Sequence, residues 1–175
     1  MVMWSTGLYG VYTYLGAGLT AAGFSTRQTA AAILFYGCGA IVGVLVGGRV
    51  ADRLGVKFTA SASFAGLCAC LLLLRLALDA GRLIEPALGM SSAVAQLFFP
   101  AQQAGLANDF PRQRAAVLAW NNSALFLGIS LGSLVGAEAI ALGNFGANLI
   151  ISAGIALAGC ITNAILVPGR VRMSR

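Results

Sequence analysis

The sequence predicts an all-α membrane protein: a single bundle of six transmembrane helices with both termini in the cytoplasm. Three observations predict it. Of the 175 residues, 59% are hydrophobic and only 9% are charged, against roughly 25% charged in soluble domains. That is too little charge to cover a surface facing water. Six stretches are mostly apolar and about 20 residues long, enough to cross a ~30 Å hydrocarbon core as α-helix. The charged residues gather in the short connections between those stretches and at their ends.

The first span is expected over 2–22. Its start, Met1-Val2-Met3-Trp4, carries no basic residue and no small-residue cleavage site follows, so it reads as a retained helix and not a signal peptide. Gly23-Phe24-Ser25-Thr26 supplies a turn and capping side chains before the second span, 30–47. A charged turn over 48–57 leads to the third span, 58–78, and Asp79-Ala80-Gly81 closes it. The fourth span is expected over 84–105. Asn108-Asp109-Phe110-Pro111 separates it from the fifth, 115–136, and Gly143-Asn144 separates the fifth from the sixth, 147–167. Trp4, Phe24 and Phe110 lie near span ends, where aromatic side chains often anchor at lipid headgroups.

Orientation follows from the basic residues. One side of the bundle carries Arg49, Arg53, Lys57, Arg112, Arg114, Arg170, Arg172 and Arg175. The other carries Arg27 and Arg82, with Arg75 near it. Lys and Arg favour the cytoplasmic side, so the termini are expected inside a multi-pass protein of a bacterial-type inner membrane. The net charge of +6 therefore reads as membrane orientation. The cations form no stripe or arm, which argues against a nucleic-acid partner.

Several function classes lack their parts. The chain has no histidine, which removes Ser-His intramembrane proteolysis and the His-Glu-x-x-His zinc site. No Gly-x-x-x-x-Gly-Lys-Ser/Thr loop is present for nucleotide phosphates. No enzyme activity, metal or other cofactor is expected. Cys38, Cys68, Cys70 and Cys160 all lie in apolar runs and read as small packing residues.

Three patterns remain. The turn Gly48-Arg49-Val50-Ala51-Asp52-Arg53-Leu54-Gly55-Val56-Lys57 packs charge between two apolar spans. Gly48 and Gly55 permit close approach or positive φ, and Asp52 can cap a helix or pair with Arg53. Gly39, Gly43 and Gly47, and again Gly128, Gly132 and Gly136, recur every four residues and put small residues on one helix face for close packing in lipid. Polar side chains also enter the spans: Tyr9, Tyr12 and Thr13 in the first, Gln96 in the fourth, and Asn121, Asn122 and Ser123 in the fifth. Gln96 lies roughly 18 Å into its span, near the midplane. Such groups need either a helix–helix hydrogen bond or a cavity. Glu85, Glu138 and Asp79 fall near outer span ends, so no ionisable group is expected at the midplane.

The turn, through Gly48, Asp52, Arg53, Gly55 and Lys57, resembles the signature loop of major facilitator superfamily transporters, with Val56 where the family often has a basic residue. Phe99-Pro100-Ala101-Gln102-Gln103-Ala104 and Ala119–Gly128 are similar to the C-terminal six-helix half of drug- and sugar-efflux members. The resemblance implies alternating-access transport of a small organic solute. It implies a gating role for Asp52 and Arg53, a cavity lined by Tyr12, Gln96, Asn121 and Asn122, and a second six-helix half, either another copy or a separate chain. In that family the second and fifth helices of each half face the other half, so both glycine ridges are expected at that interface. The alternatives are a fragment, or a non-transporting membrane subunit or inactive remnant.

Overall fold

A computed structural model describes residues 1–81 and 83–166; the expectations for Arg82, Val167, Arg170, Arg172 and Arg175 lie outside the described residues. Those residues form eight α-helices and a short 3-10 turn: α1 (Val2–Tyr12), α2 (Leu15–Ala21), α3 (Thr26–Leu54), α4 (Val56–Ala80), α5 (Ile84–Gln96), α6 (Phe98–Asp109), the turn Pro111–Gln113, α7 (Arg114–Leu142) and α8 (Phe145–Leu166). Four stretches are long and apolar enough to cross a membrane unbroken: Thr26–Leu54, Val56–Ala80, Pro111–Leu142 and Phe145–Ile165.

The other two expected spans are interrupted, which corrects the reading of 2–22 and 84–105 as continuous helices. The first breaks at Thr13-Tyr14, where the Tyr14 N–H donates to the Val11 carbonyl at 3.2 Å, one residue short of the α-helical partner. The second breaks at Leu97, whose N–H reaches back to Val94 O at 3.4 Å. Pro100 lies three residues on; it has no N–H for the Gln96 carbonyl and its ring crowds the preceding turn.

The caps follow the turn chemistry. Ser25 Oγ accepts from the Gln28 N–H at 3.3 Å and Gln28 Oε1 accepts from the Ser25 N–H at 3.0 Å, a reciprocal box that starts α3 four residues earlier than the span expected over 30–47. Asn144 Oδ1 accepts from the Ala147 N–H at 3.1 Å and starts α8. The charged turn is also shorter than expected. Residues 48–54 are helical, and Gly55 alone joins α3 to α4, with φ +90°. That value lies in the region glycine reaches without strain.

Two pairs of helices run side by side in the same direction. Along α3, a Cβ at Gly39, Gly43 or Gly47 would collide with Gly89, Ala93 and Leu97 of the α5 break region in turn. Along α7, a Cβ at Gly128, Gly132 or Gly136 would collide with Ser5, Thr6 and Gly10 of α1 in turn. The glycine ridges therefore close contacts inside this chain. This corrects their expected place at the junction with another half. Their faces point at the interrupted helices, and residues such as Ile41, Val42 and Leu45 point away, exposed.

The second pair of long helices, α4 and α8, packs together, α4 against α5 and α8 against α1. The packing thus has a mirrored pattern: α3 on α5 and α7 on α1, α4 on α5 and α8 on α1. The shared core is Leu8, Leu15, Leu67, Leu74, Leu88 and Leu149. In lipid, such a core is held by close packing and polar contacts, since lipid tails are as apolar as leucine.

Candidate solute cavity and gating turn

The interrupted helices carry the first group of candidate residues. Tyr12 ends α1 with 43% of its surface exposed. Its ring stacks on Tyr36 of α3, with centroids 4.8 Å apart and an interplanar angle of 23°, and Tyr9 meets it edge-on at 6.0 Å. Both geometries suit the ring quadrupole. The Thr13 hydroxyl lies 3.2 Å from Ser133 Oγ of α7. Gln96 is the last residue of α5 and is half-buried beside Gly43, whose missing side chain makes room for it.

Tyr12, beside Tyr36, and Gln96, beside Gly43, stand seven residues apart along α3, about 10 Å, and Asn121 and Asn122 are brought to neither. Asn121 is buried, with a side-chain nitrogen that has no hydrogen-bond partner among the described residues. It lies seven residues before Gly128, about 10 Å further along the helix axis, while Tyr12 lies beyond the contacts of Gly132 with Thr6 and Gly10. Asn122 is exposed on the adjoining face, and Ser123 Oγ donates back to Ala119 O at 3.2 Å. The candidates thus occupy separate levels of the bundle.

The candidate gating turn differs in part from the expectation. Asp52 and Arg53 are exposed in the last turn of α3. Adjacent helical positions point apart, so the expected Asp52–Arg53 pair does not form. No side chain caps the start of α4 either. Gly48 sits in the helix with open space beside it. Lys57 has a defined role: its ammonium donates to Ala164 O of α8 at 3.2 Å. Asn163 Nδ2 donates to Ser61 Oγ at 2.9 Å and fastens the same corner.

Carboxylates stay at the edges. Glu85 is in the first turn of α5, and Glu138 is exposed in the last turns of α7. Asp79 pairs with Arg75. These two line a cleft of about 260 Å³ with Gly18, Ala22, Asn144 and Gly146, at the α2 end of the bundle and away from Gln96. Gly146 leaves space for the Arg75 guanidinium against the first turn of α8.

Sequence reading missed several polar contacts at the helix breaks. Trp4, expected at the headgroups, is buried: its indole N–H donates to Ala95 O at 2.8 Å, and its ring stacks on Phe98 at 5.3 Å. Ser63 Oγ donates to Val94 O at 2.8 Å and Ala95 O at 2.9 Å. Asn148 Nδ2 donates to Gly10 O at 2.8 Å. The one signal in the sequence was a polar pair at helical spacing, Asn148 and Ser152, inside an otherwise apolar run.

A family model described as Major Facilitator Superfamily matches residues 1–174. No curated protein matches the chain.

Proposed function

Since the chain belongs to the major facilitator superfamily, we propose that it carries a small organic solute across a bacterial-type inner membrane, outward, by alternating access. The pair of interrupted helices carries this reading. Broken backbone at membrane depth is tolerated where protein buries it or where it lines a water-filled cavity, and in transporters such breaks flank binding sites. Here the breaks stand next to Tyr12 and Gln96, one exposed and one half-buried.

On this reading α1 with α2, and α5 with α6, each form one interrupted span, and the four unbroken helices make six. Asn121 and Asn122 line the inner part of the path. The working unit contains a second six-helix half, another copy or a separate chain, inserted in the same direction as parallel repeats are. The exposed apolar faces of α3 and α7, including Leu34, Ile41, Leu127 and Leu134, support such a neighbour. Asp52 and Arg53, free to reach outward from the last turn of α3, engage helix ends of that half in one state and release them in the other. The efflux direction rests on the segments around Pro100 and Asn121.

The test is flux. Proteoliposomes holding the purified chain, loaded with a radiolabelled neutral sugar or a fluorescent hydrophobic dye, should empty faster than protein-free vesicles. Asp52→Ala and Asn122→Leu should each slow emptying about tenfold, equivalent to about 1.4 kcal/mol on the limiting barrier, with normal membrane insertion. No flux of either probe above the protein-free rate would favour a non-transporting subunit. Unchanged flux in Asn122→Leu would remove that residue from the path.

A further inference from the structure

Helix 1 is interrupted where a side chain has taken the place of a backbone donor. In an unbroken α-helix the Gly10 carbonyl would accept from the Tyr14 N–H. That N–H turns instead to Val11 O, and Gly10 O receives the Asn148 amide at 2.8 Å. Asn148 is fully buried and Ser152 nearly so. Ser152 Oγ donates to Asn148 Oδ1 at 3.3 Å, which leaves the amide nitrogen facing α1. The residues after the freed carbonyl are held from α7: the Thr13 hydroxyl is 3.2 Å from Ser133 Oγ, and the Tyr14 hydroxyl donates to Ser133 O at 2.9 Å.

The break in the fourth span is also met by side chains from the mirrored position, although they reach Val94 O and Ala95 O and not the Ala93 carbonyl that the Leu97 N–H leaves. Ser63, on the third span, supplies the donor for Val94 O and Ala95 O, and Trp4 adds a second donor to Ala95 O. α4 therefore braces α5, and α8 braces α1. The braces differ in redundancy: among the described residues Ala95 O has two side-chain donors, Trp4 and Ser63, and Gly10 O has one, Asn148.

We propose that Asn148 is a positioning residue, which keeps helix 1 broken at Thr13-Tyr14 and thereby sets where Tyr12 and Thr13 stand. The reasoning turns on what lipid cannot supply. With Asn148 replaced by an apolar residue, Gly10 O has no water to turn to. The nearest donor is the Tyr14 N–H, one turn on. Re-pairing those two restores the regular ladder, straightens the helix and carries Thr13 and Tyr14 away from Ser133. This inference goes beyond solute transport, and its test reads geometry without any solute.

The experiment is disulfide crosslinking of the full chain in native membranes. Thr13→Cys with Ser133→Cys, in a background with Cys38, Cys68, Cys70 and Cys160 replaced by alanine, reports the braced break. Ser61→Cys with Cys160 retained, whose sulfur lies 3.7 Å from Ser61 O, reports the seam between the third and sixth spans. Asn148→Leu should slow the first crosslink several-fold and leave the second unchanged. Slowing of both would show a general packing role, and slowing of neither would show that the amide does not hold the break; either overturns the proposal. Should Asn148→Leu fail to insert, Ser152→Ala, which only frees the amide to turn, decides by the same comparison with a smaller slowing expected.

Discussion

At the residue scale, Trp4 links the two interrupted helices, because its indole N–H donates across the bundle to Ala95 O while its ring stacks on Phe98. Trp4→Phe keeps most of the ring and removes the donor, leaving Ser63 as the remaining side-chain partner of that carbonyl. An interhelical hydrogen bond in a membrane averages about 0.6 kcal/mol, so the substitution should cost about 1 kcal/mol once lost ring contact is included, measured by reversible unfolding in mixed micelles. A loss above about 3 kcal/mol would mean that Ser63 gives no support to that carbonyl, because a buried acceptor left without a partner costs about 1–3 kcal/mol. Neither Trp4 nor Asn148 was legible in the sequence in this role. A polar side chain in an apolar run reads alike whether it faces a pathway or a carbonyl. The difference depends on where a neighbouring helix loses its ladder, which is a long-range property. Tyr12 and Gln96 were legible as polar intrusions, but Tyr36, the stacking partner of Tyr12, was hidden in the middle of an apolar span.

At the element scale, the four-residue glycine spacing was readable, and so were the turns at Gly23, Gly81, Pro111 and Asn144. Which helix each ridge meets was not readable, since spacing gives a face and not its neighbour. The structure separates two glycines only five residues apart. A side chain at Gly43 would strike Ala93 O and Gln96 Cβ, both fixed by α5, whereas one at Gly48 meets open space. Gly43→Leu should therefore destabilise the bundle by at least the upper end of the usual 1–3 kcal/mol for overpacking, about 3 kcal/mol. Gly48→Ala should be neutral or stabilise α3 by up to about 1 kcal/mol through helix propensity. Thermal unfolding of the two variants in one detergent checks the contrast; equal losses would refute it. Of the two helix breaks, Pro100 signalled one, displaced by three residues. Thr13-Tyr14 contains neither proline nor glycine, and its break is imposed from outside by Asn148 and Ser133.

For the whole molecule, the distribution of charge determines how the bundle sits. Arg27 and Arg112 belong to opposite ends, and on the proposed topology the excess of cations at the Arg112 end faces the cytoplasm. In cells expressing single-cysteine variants, Arg27→Cys should react with a membrane-impermeant maleimide from outside, and Arg112→Cys only after permeabilisation; the reverse pattern would invert the proposed topology. The membrane class was legible from composition alone, because a chain with so few charges has no other way to satisfy its surface. The mirrored packing of α3, α4 and α5 against α7, α8 and α1 was not, since these helices share little beyond the glycine spacing. One junction also constrains how the bundle can move. With Gly55 as the sole residue between α3 and α4, and Lys57 clasping Ala164 of α8, that rim has no slack. Tilting α3 must drag α4 and the tail of α8 with it, like a crank on a fixed elbow, so a lengthened, pliant insert after Gly55 should uncouple three helices at once.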